Sequence, residues 1–176
     1  MDTEAVAAAG QARKEANAKS ADTIFMGNVL SAGLGQAPAR QAALKAGLDK
    51  GTQAVTLNKM CGSGLQAVAM ARQALLSGES NTVIPGGMES MTRAPFLMQK
   101  HRGGQKYGHD KLFDHMAIDG LEDAYEGLAM GVYADASAKE YQFSRESQDA
   151  YALETLKRAQ SATAEGRFKR EIAPVE

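Results

Sequence analysis

The feature that most constrains the fold is a strand, a helix and a second strand that follow one another within residues 52–87. TQAVTL at 52–57 has the length and the β-branched residues of a strand. A second strand begins at Asn81 and leads into PGGMES. Between them, Gly78 ends a helix whose apolar residues recur at helical spacing; the stripe consists of Leu65, Val68, Ala69, Leu75 and Leu76. This order predicts a βαβ unit with parallel strands.

A unit of the same kind precedes it. DTIFM at 22–26 has strand length, and the glycine-rich residues that follow predict a loop. The next helix is short, with Pro38 in its first turn and Gly47 at its end. The alanine-rich residues 1–20 predict a surface helix. Two such units predict an α/β core built on a mostly parallel sheet.

From Met91 onward the sequence predicts a different kind of structure. Residues 99–115 are polar and glycine-rich and contain all three histidines, which predicts an excursion or hairpin outside the sheet. Ser144 then begins a long helix, with Glu146 in its first turn and Gly166 at its end.

Charge and composition exclude several classes of function. The 20 basic and 21 acidic residues leave a net charge of -1, so no overall field attracts nucleic acid or an anionic membrane. No run of about 18 apolar residues is present that would span a membrane. One cysteine cannot form an internal disulfide, which favours a reducing compartment. We therefore expect a cytoplasmic protein, with a mitochondrial location open if an N-terminal segment is missing.

The stretch NKMCGSGLQA at 58–67 has two interpretations. Gly62, Gly64 and Ala67 match the spacing of a dinucleotide-binding loop. That loop begins directly after its strand, however, and it needs an acidic residue at the tip of the second strand. Here residues 58–61 separate the strand from the first glycine, and Pro85 and two glycines end the second strand. Dinucleotide binding is therefore weakly supported.

The other interpretation is that Cys61 is a nucleophile. A cysteine just before a helix places its sulfur at the positive end of the helix dipole, which favours the thiolate. Gly62 and Gly64 leave room for an acyl group and permit tight backbone geometry, and the backbone N–H of Cys61 is placed to stabilise an oxyanion. Most free cysteines are small buried side chains, however, and a catalytic cysteine needs a base beside it.

The histidines offer no evident base. His101, His109 and His115 all lie in the polar excursion, and their spacing fits no compact zinc motif. We expect each of them to be a solvated loop residue, and we expect no metal site.

Several longer motifs resemble the thiolase family. The order VTLNKMCGSGLQAV, GGMESMTRAP, HRGGQKYG, DGLEDAYEG and SRESQDAYA is the order found in thiolases, and GNVLSAGLGQAPARQAALKAGL precedes them as in that family. The resemblance covers residues 22–176 and is greatest to the acetyl-CoA C-acetyltransferase branch.

The resemblance implies a fold and two domains. The fold is α/β and thiolase-like, with the N-terminal βαβαβ half of the core over residues 1–92, without its first strand, and part of an α-rich loop domain over residues 93–176. Within the latter, the excursion at 100–118 corresponds to the segment that joins thiolase dimers into tetramers.

The resemblance also implies site residues and a reaction. Cys61 corresponds to the nucleophile that accepts the acyl group, Met130 to a methionine of the acyl and pantetheine pocket, and Leu121 to a leucine beside the pantetheine arm. The implied reaction is acyl transfer between coenzyme A thioesters, either acetoacetyl-CoA formation or 3-ketoacyl-CoA thiolysis. No further cofactor is implied, and the implied assembly is a homodimer or homotetramer.

The sequence also departs from the family. Pro85 stands where a small strand residue is usual, Ala129 where the biosynthetic branch commonly has a histidine, and residues 133–135 differ as well. The activating histidine, the oxyanion-hole asparagine and the second cysteine of thiolases have no counterpart, which predicts a fragment with little turnover alone. The alternatives are a condensing enzyme of the ketoacyl-synthase kind and a non-catalytic protein that binds coenzyme A or serves in assembly.

Overall fold

A parallel three-stranded sheet organises the first half of the chain. The computed structural model describes residues 20–173, so nearly all of the surface helix expected at residues 1–20 lies outside the described residues. The strands are β1 (Thr23–Gly27), β2 (Gln53–Leu57) and β3 (Val83–Gly87), in the order β2-β1-β3. In the central strand, Thr23 pairs with Gln53 on one side and with Val83 on the other. The predicted parallel sheet is confirmed.

Two helices cover the opposite faces of this sheet, α1 (Pro38–Lys45) and α2 (Ser63–Ser77). Because successive side chains of a strand point to opposite faces, Ile24 and Met26 of β1 belong to the core under α1, whereas Phe25 belongs to the core under α2. β1 is buried along its whole length. The result is a three-layer α/β/α unit whose central strand is covered on both faces.

The side of α2 that faces the sheet differs from the one that the sequence predicts. Its buried residues are small: Ser63, Ala67, Ala71 and Ala74. The larger residues of the predicted apolar stripe are exposed instead; Leu65 is 78% and Leu76 70% exposed. Small side chains let the helix backbone approach the strands closely, so the alanines form the packing face and the leucines and Val68 project away from the core.

The second half of the chain is mainly helical. A two-residue antiparallel ladder between β4 (Phe96–Leu97) and β5 (Phe113–Asp114) closes the excursion at its base, as the predicted hairpin requires. The helices α3 (Met130–Glu140) and α4 (Arg145–Ala164) follow. Ser144 caps α4, accepting a 3.2 Å hydrogen bond from the Ser147 N–H at its hydroxyl oxygen. Within residues 20–173, no helix combines the length and apolar content needed to cross a bilayer.

Candidate functional site

The carboxyl ends of the three parallel strands surround a cavity of about 440 Å³. In open parallel sheets this edge is where ligands bind, because the loops that leave the strands converge there. Each strand contributes the residues that follow it, and the base of the excursion closes another side. The lining residues are Gly27, Asn28, Val29, Leu30, Met60, Cys61, Ser63, Gly64, Gly87, Met88, Glu89, Met91, Met116, Gly120 and Leu121.

Cys61 lies on a sharp turn between β2 and α2, and it is exposed. The strain falls on the preceding residue, because Met60 has a φ of 48°, a left-handed conformation that non-glycine residues rarely adopt. Ser63 stabilises the turn from inside: its hydroxyl donates to the Met60 carbonyl at 2.6 Å and accepts from the Lys59 N–H at 2.8 Å. The turn therefore presents the thiol at the cavity with a fixed backbone.

A close approach between Gly27 and Ser63 sets the position of this turn against the sheet. A Cβ at Gly27 would lie 2.7 Å from the Ser63 Cβ, a distance that side chains do not tolerate. Only glycine permits the first turn of α2 to sit directly on the end of β1. Gly64, by contrast, has open space beside it and lines the cavity, as expected of a glycine that leaves room next to the sulfur.

The carboxylate of Glu89 joins two walls of the cavity. Glu89, just beyond β3, accepts hydrogen bonds from the Val29 N–H at 2.8 Å and the Leu30 N–H at 2.9 Å. The Asn28 Nδ2 donates both to Glu89 Oε1 at 3.2 Å and to the Met88 carbonyl at 2.9 Å. Glu89 thus fixes the loop after β1 to the loop after β3.

The family is decided by sequence comparison. A family model described as the thiolase N-terminal domain matches residues 2–176. The chain belongs to the thiolase family. The chain is 48% identical over 157 residues to an acetyl-CoA acetyltransferase of Saccharomyces pastorianus, covering 89% of this chain and 39% of that relative. It is 47% identical over 158 residues to a probable acetyl-CoA acetyltransferase of Escherichia coli, covering 90% of the chain and 40% of the relative.

A solved thiolase has the same fold. The thiolase of Ascaris suum, crystallised in complex with coenzyme A, superposes with a TM-score of 0.90 at 39% identity over 97% of this chain and 45% of that one. The resemblance and the thiolase-like α/β fold are therefore confirmed. The thiolase chain spans about two fifths of the length of the curated relatives that it matches, 39% for the first of them.

The structure brings together only some of the site residues that the thiolase resemblance implies. Leu121, Cys61 and Gly64 line the same cavity. Met130 is not among the lining residues; it begins α3 and is 52% exposed. Gly62 is the N-cap of α2 rather than a lining residue. The role of each of these residues stays a prediction.

One of the three histidines of this thiolase differs from the prediction. His101 and His109 are exposed, as expected for loop residues. His115 is buried, with 5% of its surface exposed, and Asp119 and Ala32 both contact its ring nitrogens. It is buried because the excursion returns at its base and packs against the loop after β1. Within residues 20–173, no histidine lines the cavity, and no cluster of three or more metal-binding side chains is found.

The residues that sequence reasoning missed are those that shape the cavity rather than react in it. Met60 carries the backbone strain, Gly27 permits the close approach and Glu89 joins the loops. Glu89 had a usable signal, because it is a carboxylate two residues beyond a strand, on the edge where parallel strands end. The positive φ of Met60 had none, since methionine has no preference for that conformation.

Proposed function

We propose that this thiolase chain supplies the nucleophile of an acyl-CoA acyltransferase. The observation that carries the proposal is the position of Cys61, exposed on a strained turn at the start of α2 and facing a cavity at the carboxyl edge of the sheet. The thiol lies at the start of α2 and beside the open space left by Gly64, where an acyl group can approach the sulfur. The relatives named acetyl-CoA acetyltransferase support a coenzyme A thioester as the acyl donor.

The proposed reaction has two covalent steps. The Cys61 thiolate attacks the carbonyl carbon of acetyl-CoA, the carbon–sulfur bond to coenzyme A breaks, and the coenzyme leaves as its thiol after taking a proton. The α-carbanion of a second acetyl-CoA then attacks the acetyl-cysteine, which forms acetoacetyl-CoA and releases the Cys61 thiolate. In thiolysis the same steps run in reverse. The backbone N–H of Cys61 is proposed to bind the carbonyl oxygen as it becomes negative.

The first step is proposed to be slow in this chain alone. The described residues place no histidine on the cavity, so no imidazole takes the thiol proton there. The chain would accept an acetyl group but turn over little, because the second step needs a base to generate the carbanion.

The test is acetylation of Cys61. The purified chain is incubated with acetyl-CoA, and the acetylated peptide is identified by mass spectrometry and by its release with hydroxylamine, which cleaves thioesters and spares amides. We expect acetylation in the wild type and none in Cys61→Ala. Binding of coenzyme A without any acetylation would favour the non-catalytic alternative, in which the cavity holds the ligand and the thiol does not react.

A matched pair of variants tests the two implied pocket residues. Leu121 lines the cavity and Met130 does not, although both are large, half-exposed apolar residues. Leu121→Ala should slow acetylation several-fold, because it removes apolar surface that a ligand in the cavity would contact. Met130→Ala should leave acetylation within about twofold, because Met130 does not line the cavity. Equal effects of the two substitutions would contradict the assignment of Leu121 to the ligand pocket.

We also propose an assembly and a location for this chain. The exposed apolar residues on α2 and the exposed residues 100–109 of the excursion at 100–118 favour self-association into a dimer or tetramer, which sedimentation analysis would measure. A cytoplasmic location is favoured by the single cysteine and is tested by cell fractionation.

A further inference from the structure

His115 lies where two walls of the cavity meet. It directly precedes Met116, which lines the cavity, and it accepts a hydrogen bond at Nε2 from the Ala32 N–H at 3.3 Å. Ala32 is two residues beyond Leu30, which also lines the cavity. The side chain therefore joins the loop after β1 to the base of the excursion.

The hydrogen bonds determine the tautomer of the ring. Nε2 accepts the Ala32 N–H through its lone pair, so the single proton of the neutral imidazole sits on Nδ1. From there it is donated to Asp119 Oδ2 at 2.6 Å, one helical turn further along the chain. Because both nitrogens are engaged and the ring is buried, His115 is not available as a base for Cys61.

The two joined walls also touch each other. A Cβ placed on Gly120 would lie 3.3 Å from the Leu30 Cδ2, so the leucine side chain packs against the bare backbone of Gly120. Gly120 directly follows Asp119, the residue that orients the His115 ring. The contact of Leu30 with Gly120 and the hydrogen bond of Ala32 with His115 thus join the same two segments.

We propose that His115 is a positioning residue for the cavity around Cys61. Its Nε2 holds the loop at 28–32 against the segment at 116–121 and so sets the width of the cavity that an acyl thioester must enter. The width of the cavity follows from contacts within this chain. The identity of the ligand as an acyl thioester rests on the proposed function.

Two substitutions separate the hydrogen bonds of the ring. Asn places an amide near the position of Nδ1, so His115→Asn keeps a donor for Asp119 and loses the acceptor for Ala32. Gln places its oxygen near the position of Nε2, so His115→Gln keeps the acceptor for Ala32 and loses the donor. Both variants leave a polar group in a buried site, so their general destabilisation is comparable, and unfolding midpoints measure it directly.

The first measurement is hydrogen exchange at the Ala32 amide. The Ala32 amide of His115→Asn should exchange about fivefold faster than that of the wild type, the factor expected from one lost hydrogen bond. His115→Gln should restore most of the protection. Equal exchange of Ala32 in both variants, at matched stability, overturns the proposal.

The second measurement is the reactivity of Cys61 toward two reagents. Iodoacetamide is small and polar, whereas N-benzylmaleimide is bulkier and apolar. The rate of labelling by the maleimide therefore depends more strongly on the shape of the cavity. We expect the ratio of maleimide to iodoacetamide labelling to change at least about threefold in His115→Asn and to stay near the wild-type value in His115→Gln. An unchanged labelling ratio in both variants overturns the proposal that His115 sets the width of the cavity.

Acetylation by acetyl-CoA is measured in the same samples. If Ala32 exchange and the labelling ratio follow the predicted pattern while even the wild type is not acetylated, the proposed function fails and the positioning role stands. If the wild type is acetylated and the two other readouts do not respond to the substitutions, the positioning role fails and the proposed function stands.

Discussion

Gly27 at the end of β1 lies directly against Ser63 at the start of α2, so closely that a Cβ on the glycine would fall 2.7 Å from the serine Cβ. This contact places the first turn of α2, and with it the cysteine turn, on the end of the central strand. The position of the candidate nucleophile is thus determined by a residue 34 positions away in the sequence, the difference between 61 and 27.

Gly27→Ala should therefore destabilise the fold. The added methyl group meets Ser63 side-chain and backbone atoms and the Gly64 nitrogen, so the helix must shift, which typically costs about 1–3 kcal/mol. Urea unfolding followed by circular dichroism measures the loss. Gly51→Ala is the control, because a Cβ there meets nothing within 4 Å, and it should stay within about 0.5 kcal/mol of the wild type. Equal effects at the two sites would contradict the close approach.

Glu89 should matter for both stability and the cavity. Glu89→Ala removes the acceptor of the Val29 and Leu30 N–H groups, and we expect a loss of about 1–2 kcal/mol in unfolding free energy. The loop after β1 should also become more accessible to hydrogen exchange. Glu79→Ala serves as the control, because Glu79 is an exposed glutamate like Glu89. If the Val29 and Leu30 amides stay protected from exchange in Glu89→Ala, Glu89 does not hold the two loops together.

Asp22 gives the fold a defined pH dependence. Hydrogen bonds from the Thr82 and Asn81 N–H groups to its carboxylate lower the pKa of Asp22 below the usual value for an aspartate. A carboxyl with a lowered folded-state pKa stabilises the fold above its unfolded-state pKa, and that stabilisation is lost as the pH falls through the folded-state value. Asp22→Asn should therefore be less stable than the wild type at neutral pH. The difference should shrink as the pH falls below about 4, the usual aspartate value, and vanish only below the lowered folded-state pKa. Urea midpoints measured across this range check it, and a difference independent of pH would be contrary to the prediction.

Substitutions on the two faces of α2 test which face packs against the sheet. Ala67 is fully buried against the sheet and Leu76 projects into solvent. Ala67→Leu should cost about 1–3 kcal/mol by overpacking the core. Leu76→Ala should change stability by less than about 0.5 kcal/mol. The reverse ranking in chemical unfolding would show that the leucine stripe, rather than the alanine face, packs in the core of this unit.

Sequence reasoning recovered the parts of the fold that local patterns determine. Strand lengths and glycine breaks predict the parallel strands, and Ser144 predicts the start of α4, as the structure confirms. The stripe on α2 was misleading because periodicity shows that a helix has an apolar face without showing what that face packs against. Alanines are too small to stand out in such a pattern, yet they are the residues that permit close packing.

For the candidate site, the sequence found the cysteine and missed its surroundings. Cys61, Gly64 and Leu121 were predicted and lie on one cavity. The burial of His115 was not predicted, because its partners Ala32 and Asp119 meet only when the excursion returns to the sheet. A polar, glycine-rich stretch is typical of solvated loops, and nothing local distinguishes the histidine at its base from the other two.

By itself, the sequence determined the alternation of strands and helices, the family motifs and the identity of the single thiol, because each depends on residue types at short range. Only the tertiary structure decided which face of α2 is buried, that Glu89 and His115 join separate loops, and that Met60 bears the strain of the cysteine turn. The physical reason is that a hydrogen bond or a close contact between distant segments depends on where both segments lie, and that position is set by packing across the whole sheet.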